Sequence, residues 1–349
     1  MPDRAPSVSI VVPSAGGVEL LAECLGALRE QSFRDFETIV VDDASSDGTR
    51  ELVRDRFREM RLVELPANVG PAGAANAGAA VAQGDYLALL NDDAVPEPGW
   101  LEELVACARR HPRAASVASK ILRRSDRSLL DGAGDCLTFS LKAYRRGLGE
   151  RDERQYETEE EVFSASGTAC LWRADAFRAL GGFDEALFAY YEDVDLGFRA
   201  RIAGHECWYA PRAVALHEGA ASTGATWAEF EGFYSVRNRW ITIVKNAPTR
   251  WLVTHLLDIA TAEALSLGRA LVLGRGGLSL RAYADVIRRR DGLGRKRREI
   301  QSGARLSYRE LRRLVHRRAP PLRIALARID WRRRSTSPSP PTRDDPRVA

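Results

Sequence analysis

Cysteine and methionine are scarce in this chain: five Cys and two Met among 349 residues. Cys24, Cys107, Cys136, Cys170 and Cys207 show no CxxC pair and no metal-ligand spacing, and an odd count argues against a disulfide framework. They read as reduced core residues of a cytosolic protein. A secretion signal is lacking too, since MPDRAPSVSIVVPS passes straight into an apolar strand. No apolar run reaches the roughly 20 residues that a bilayer-spanning helix requires. Residues 251–274 come nearest, but His255, Asp258, Glu263 and Arg269 interrupt them. Phosphate loops are also missing: NVGPAGAANAG (68–78) fits neither GxGxxG nor a P-loop, and only Gly16 and Gly17 follow the first apolar run. These absences exclude a disulfide scaffold, a membrane-spanning protein and a dinucleotide-binding enzyme.

With 45% hydrophobic residues, the chain can bury a substantial core. Its net charge of +4 hides an asymmetry. Residues 246–349 carry 24 Lys and Arg against 9 Asp and Glu, a net of +15, whereas residues 1–245 carry 28 against 39, a net of −11. A basic region suits anionic lipid or nucleic acid. An acidic one suits a divalent cation that bridges to phosphates.

The pattern over residues 8–90 alternates. VSIVV, ETIVV, LVEL and DYLALL read as strands, and the segments 18–28, 49–57 and PAGAANAGAAVAQG between them read as helices. This predicts an α/β fold, a mostly parallel sheet flanked by helices. Sites in such sheets lie beyond the carboxyl ends of strands. Ser14, then Asp42 and Asp43, then Asn91, Asp92 and Asp93 fall at those places. The charged stretch 123–162 reads as a solvated excursion. FSASGTACLWR and AGHECWYAP resume strand character, and His217 follows. Val253, Leu256, Leu257, Ala260, Ala264, Leu267 and Leu271 share helical spacing and lead into arginine clusters at 288–290 and 295–298. The last residues, 335–349, read as disordered.

Each candidate has two readings. Asp42 and Asp43 can accept from the imide of a pyrimidine base or cap the next helix. Gly73 and Asn76 lie in a small-residue segment that admits either a ligand or a tightly packed neighbour. NDDA (91–94) can hold Mg2+ or Mn2+ through few ligands, or form an Asx turn. Glu192, Asp193 and Asp195 can stand at a solvated helix start or serve a cation, a proton or a sugar hydroxyl. Arg237 and Arg239 can pair with phosphates or face solvent.

VSIVVPSAGG, VVDDASSDGT, NVGPAGAANAG, ALLNDDA, SGTACLWR, GGFDEALFAYYEDVDLGFRARIAGHECWYAP, AVALHEG and RNRWITIVKNAP occur in this order. Together they resemble inverting glycosyltransferase family 2, in its bacterial rhamnosyltransferase-like branch, over about residues 7–250. The resemblance implies a GT-A fold, a dTDP-, UDP- or GDP-linked sugar donor, Mg2+ or Mn2+, and single-displacement inversion of a hexosyl group. It implies a nucleotide-binding set of Ser14, Asp42, Asp43, Gly73, Asn76, Asn91 and Asp92. It implies metal ligation by Asp93 with His217, and catalysis by Asp193 as general base beside Glu192. Asp195 is expected to orient a neighbour. Asn91 departs from the commonest DxD form.

The expected organisation is a GT-A domain over 1–245, a basic amphipathic helical region over 246–334 and the tail. The basic region is expected to dock on the anionic cytoplasmic membrane face, with no nucleic acid as partner and a glycan or lipid-linked acceptor as substrate. Two alternatives are weaker. A sugar nucleotidyltransferase needs a basic loop after the first strand, where PSAGGVE offers none, and a non-catalytic membrane-binding protein has no use for the acidic constellation. A processive synthase is disfavoured because VRNRW places Val236 at the Gln of QxxRW.

Overall fold

Val8–Ser14 forms β1, a run of mostly β-branched residues buried on both faces. The computed structural model describes residues 5–219 and 225–316. In it α1 (Val18–Arg29), β2 (Phe36–Asp42), α2 (Thr49–Arg56), β3 (Arg61–Glu64), α3 (Gly70–Val81) and β4 (Tyr86–Leu90) follow in the expected alternation. Strands β3, β2, β1 and β4 lie side by side and parallel. Ile10 and Val12 pack with α1, and Val11, on the opposite side of the pleat, packs with α3.

Then come β5 (Ala94–Pro96), α4 (Trp100–Arg110) and the long β6 (Ala114–Arg123). The expected solvated excursion is a correction. It contains β7 (Leu130–Ala133), β8 (Asp135–Thr138), β9 (Ala143–Arg145) and β10 (Glu160–Glu161), and Leu130, Asp131, Ala133, Asp135, Cys136 and Leu137 are buried. Its charged residues divide between solvent and a buried polar network. The chain continues through β11 (Ala169–Arg173), α5 (Ala174–Ala179), α6 (Glu192–Ile202) and β12 (Glu206–His217). The main sheet runs in the order β10-β12-β6-β11-β4-β1-β2-β3. Only β11 interrupts the common direction between β4 and β6, being antiparallel to both; β12 is parallel to β6. The carboxyl ends of β1, β2, β4 and β12 therefore share one edge, and β11 begins at that edge.

The remainder is α7 (Ala225–Asn246), α8 (Thr249–Thr254), α9 (Leu256–Val272), α10 (Gly276–Arg288), α11 (Arg290–Ser302), α12 (Tyr308–Leu314) and β13 (Val315–His316). The boundary expected at 245 falls in the last turn of α7, and one apolar cluster crosses it, joining Leu137, Phe163 and Phe198 to Ile243, Trp251, Ile259 and Leu311. β13 also pairs with β8. Through residue 316 this region is packed on α6 and α7 and on the small β13-β8-β9 sheet. Residues 317–334 and the expected disordered tail 335–349 lie outside the described residues. Among the described residues no helix is long and apolar enough to cross a membrane.

Candidate active site

Strand order explains the site. His217 ends β12 and is in register with Ala94, so its ring reaches Asp93: Nε2 lies 3.2 Å from Oδ1. Its Nδ1 lies 2.9 Å from Asp131 Oδ2 near the start of β7, which runs antiparallel to β6. Burial disfavours the imidazolium, but Asp93 and Asp131 outweigh it and raise the His217 pKa to about 9. Asp131 is itself held well below the ordinary carboxylate range, against its burial, chiefly by Arg145. Asp92 turns the other way, toward the Ser14 hydroxyl. Its burial in the cleft, with some repulsion from Asp93, lifts it to about 7 despite that hydroxyl.

Arg145 links this cluster to the second acidic group. Its guanidinium donates to Asp131 Oδ2 at 2.6 Å and to Thr168 Oγ1 at 3.1 Å. Thr168 stands beside the fourth strand, where its carbonyl accepts from the Asn91 amide at 2.9 Å. One residue earlier, the Gly167 amide donates to Asp193 Oδ2 at 3.0 Å; the other oxygen accepts from the Val194 amide at 2.7 Å. The attraction of Asp131, Asp135, Asp193 and Asp93 holds Arg145 charged against its burial. The two acidic clusters thus share one cleft. Asp135 and Glu192 complete it: burial first, and the charge of Asp193 second, push each carboxyl up to about 8. Glu192 Oε2 is buried with no hydrogen-bond partner among the described residues.

The loop that leads into α6 is strained and clamped. Phe188, Tyr190 and Tyr191 all adopt left-handed backbone, with φ of 64°, 65° and 69°. The buried Asn238 amide of α7 donates to the carbonyls of Leu187 at 2.8 Å, Ala189 at 2.7 Å and Tyr190 at 2.7 Å. Arg237 adds bonds to the carbonyls of Ala186 and Leu187. Arg237 is therefore buried against this loop, and Arg239 pairs with Glu263 and the Ser140 carbonyl. Neither reads as a phosphate ligand, a correction to one sequence reading.

Other candidates are occupied by the fold. Asn76 accepts from the Phe183 amide at 2.9 Å and donates to the Phe183 carbonyl and Glu185, tying down the loop before α6. A Cβ on Gly73 would lie 2.7 Å from a Val69 methyl, and one on Gly70 would lie 2.8 Å from the Phe188 ring. The small residues of α3 thus lie close to Val69 and Phe188, and Asn76 is engaged by the loop before α6. Asp43 accepts from the amides of Val69 and Gly70 at 2.7 and 2.9 Å, anchoring the start of α3. Asp42 is held by Arg50 and Ser45. Asp47 caps two helix starts at once, accepting from Thr49 and from Gly17 and Val18. Asp195 lies buried against Lys245, Arg199 and Asn246 as a structural anchor. Asp131, Asp135, Arg145 and Asn238 are the residues that sequence reasoning missed.

The glycosyl transferase family 2 model matches residues 9–181. The chain is 31% identical over 248 residues to the N-acetylglucosaminyl-diphospho-decaprenol L-rhamnosyltransferase of Mycobacterium tuberculosis, covering 64% of this chain and 79% of that protein. It is 32% identical over 229 residues to the pre-mycofactocin glycosyltransferase of the same organism, covering 62% of this chain and 44% of that protein. In fold it is similar to GalNAc-T7 solved with UDP, GalNAc and Mn2+ (TM-score 0.55, 15% identity, 70% of this chain and 48% of that one). It is likewise similar to the mannosyltransferase PcManGT from Pyrobaculum calidifontis, solved with GDP-Man and Mn2+ (TM-score 0.52, 17% identity, 82% and 88%). With its GT-A sheet and this sequence likeness, the chain belongs to glycosyl transferase family 2, in the rhamnosyltransferase-like branch, and is a glycosyltransferase.

Proposed function

We propose that this enzyme moves a hexose or deoxyhexose such as rhamnose from a dTDP-, UDP- or GDP-linked donor to a hydroxyl of a glycan or lipid-linked acceptor, with inversion, in cell-surface polysaccharide synthesis. The observation that carries the reading is the shared cleft, with Asp93 and His217 on one wall and Asp193 on the other, joined through Arg145. Likeness to a transferase named for a lipid diphosphate acceptor supports the acceptor class, and fold neighbours solved with nucleotides and Mn2+ support the donor class.

Asp93 and His217 suit a divalent ion, Mg2+ or Mn2+. An imidazole nitrogen faces a carboxylate, and the opposite ring nitrogen is backed by Asp131 in the manner of a metal-bound histidine. When bound, the ion would supply positive charge for the departing nucleoside diphosphate. Asn91 and Asp92 line the same edge, and Asp43, anchored by the Val69 and Gly70 amides at the end of β2, is the residue we assign to the nucleobase. Asp193 is oriented by the Gly167 and Val194 amides. It takes the proton of the acceptor hydroxyl while that oxygen bonds to the anomeric carbon and the bond to the diphosphate breaks on the opposite side. A single displacement inverts the centre. An acceptor embedded in lipid would bring the basic C-terminal region to the anionic cytoplasmic membrane surface.

A panel of nucleotide sugars, screened for thermal stabilisation with and without Mn2+, tests the donor class. A cognate donor should raise the melting temperature in a metal-dependent way. Asp193→Asn should then abolish transfer while that stabilisation persists. A fold indifferent to every donor, or an Asp193→Asn enzyme with parental turnover, would refute the proposal.

A further inference from the structure

The helix α9 is amphipathic in the inverse sense to a helix that packs on a core. Its polar side chains Glu263 and Ser266 face the protein, while Asp258 and Arg269 flank the outward face. Glu263 pairs with Arg239 and accepts from Tyr283, and Ser266 accepts from Lys142 at 3.0 Å. Its leucines face outward. Leu257 is 82% exposed, Leu265 71% and Val272 87%. Counting 100° per residue, Leu257, Ala264, Leu271, Gly268, Val272 and Leu265 fall on one side, and Thr261 is the only polar residue among them. The apolar periodicity seen in the sequence is real, but Ile259 alone on this helix is buried. Leu280 and Ile287 of the neighbouring α10, both 60% exposed and seven residues apart, extend the apolar surface. Exposed arginines lie among and after these residues, Arg269, Arg275, Arg281, Arg288, Arg289 and Arg290.

A contiguous outward row of leucine and valine contributes nothing to this fold and is costly in water. A row of that kind set among arginines matches a helix lying in the plane of an anionic bilayer, apolar side chains in the acyl boundary and guanidinium groups at the phosphates. We propose that the outward face of α9, extended by Leu280 and Ile287 of α10, seats in an anionic phospholipid surface, by apolar insertion as well as by charge. This deepens the lipid-linked acceptor reading above and rests on it. The seating also bears on the site, because α10 packs on α7, whose Asn238 and Arg237 hold the loop that leads to Asp193.

The test is flotation of the full chain with vesicles of phosphatidylcholine alone or mixed with phosphatidylglycerol, at low and high salt. The parent should float with the anionic vesicles, and part of that binding should survive high salt, where charge attraction is screened. Leu257→Glu, Leu265→Glu and Val272→Glu combined should lower binding more than about tenfold. These side chains are exposed, so an unchanged thermal melt certifies the fold; a serine triple variant serves if the glutamates disturb it. Sedimentation supplies the remaining arm. Parental binding by the variants, absence of binding by the parent, or a parental dimer that the variants dissociate would each overturn the proposal. Flotation needs no sugar donor. Failure here with donor stabilisation intact would therefore leave the catalytic reading standing, and the reverse result would leave the docking face standing.

Discussion

Asn238→Leu removes one side-chain amide and leaves the shape of the site nearly unchanged. Asn238 is wholly buried, and its two N–H groups are shared among three carbonyls of the loop 187–190. The Leu187 carbonyl retains Arg237 as a donor, so the loss falls on the Ala189 and Tyr190 carbonyls and on the Arg237 Nε–H, which loses the Asn238 Oδ1 as acceptor. A buried polar group deprived of its partner costs about 1–3 kcal/mol. Three such groups place the expected loss of stability at about 3 kcal/mol or more. The loop has a further reason to let go: left-handed backbone at Phe188, Tyr190 and Tyr191 costs about 1–2 kcal/mol per residue, so release of the clamp favours rearrangement. Asp193 begins two residues beyond this strain. Urea denaturation of parent and variant should show a lowered midpoint at unchanged slope. With a donor in hand, turnover should fall much further than donor affinity, because the perturbed loop leads into the α6 turn that bears Asp193, the proposed base, and not into the proposed cation site. A stability loss under about 1 kcal/mol together with parental turnover would show that Asn238 does not hold this loop, and the strain argument would fall with it.

Three other outcomes are expected. Asp135 has a folded-state pKa near 8 and an unfolded value near 3.8, so its bound proton stabilises the fold at low pH and that contribution is lost as pH rises through 8. Asp135→Asn keeps the uncharged form at every pH. It should exceed the parent in stability at pH 9 by on the order of a few kcal/mol and gain nothing at pH 4; thermal melts that rank them oppositely at pH 9 would refute the assignment. Asp131→Asn, which removes the carboxylate behind His217, should weaken Mn2+ binding about 10- to 100-fold in a spectroscopic titration, and an unchanged affinity would remove Asp131 from the metal site. Gly78→Ala drives a Cβ into Val11 and Val41 and should cost about 1–3 kcal/mol, whereas Gly26→Ala in α1 meets nothing within 4 Å and should gain up to about 1 kcal/mol. Equal melting shifts for the two would contradict the packing of α3 on β1.

The strand-end residues were legible because a parallel sheet places every carboxyl end on one edge. Ser14, Asp92, Asp93 and His217 could be proposed from the alternation and the collinear motifs, and the structure brings them together. The second half of the cleft was not legible. Asp131 and Asp135 lie within LLDGAGDCLT, just before the most charged segment of the chain, and net charge drew the whole stretch toward solvent. A subtler signal was present: two carboxylates flanked by Leu, Ala and Cys at alternating positions must either pair or hold protons once buried. Asp131 does the first with Arg145 and His217, and Asp135 does the second. Asn238 left no comparable trace, since its partners are main-chain carbonyls about fifty residues away and no residue type announces them. In α9 the helical period was correct, but period fixes only that one face is apolar, not which way that face points.

Charge balance in the cleft gives the proposed divalent ion its physical reason. Asp92, Asp93, Asp131, Asp135, Glu192 and Asp193 meet there, with Arg145 and a charged His217 as cations. Arg145 is already committed to Asp131 and Thr168, and His217 to Asp93 and Asp131. Burial first, and this like charge second, push Asp135 and Glu192 up to about 8. A nucleoside diphosphate brings further negative charge to the same edge. Without a cation of its own it would have to compete with Asp93 and Asp131 for His217 and Arg145. A divalent ion held by Asp93 and His217, as proposed, would supply the positive charge that the diphosphate lacks here, so donor affinity and metal affinity should each rise with the other.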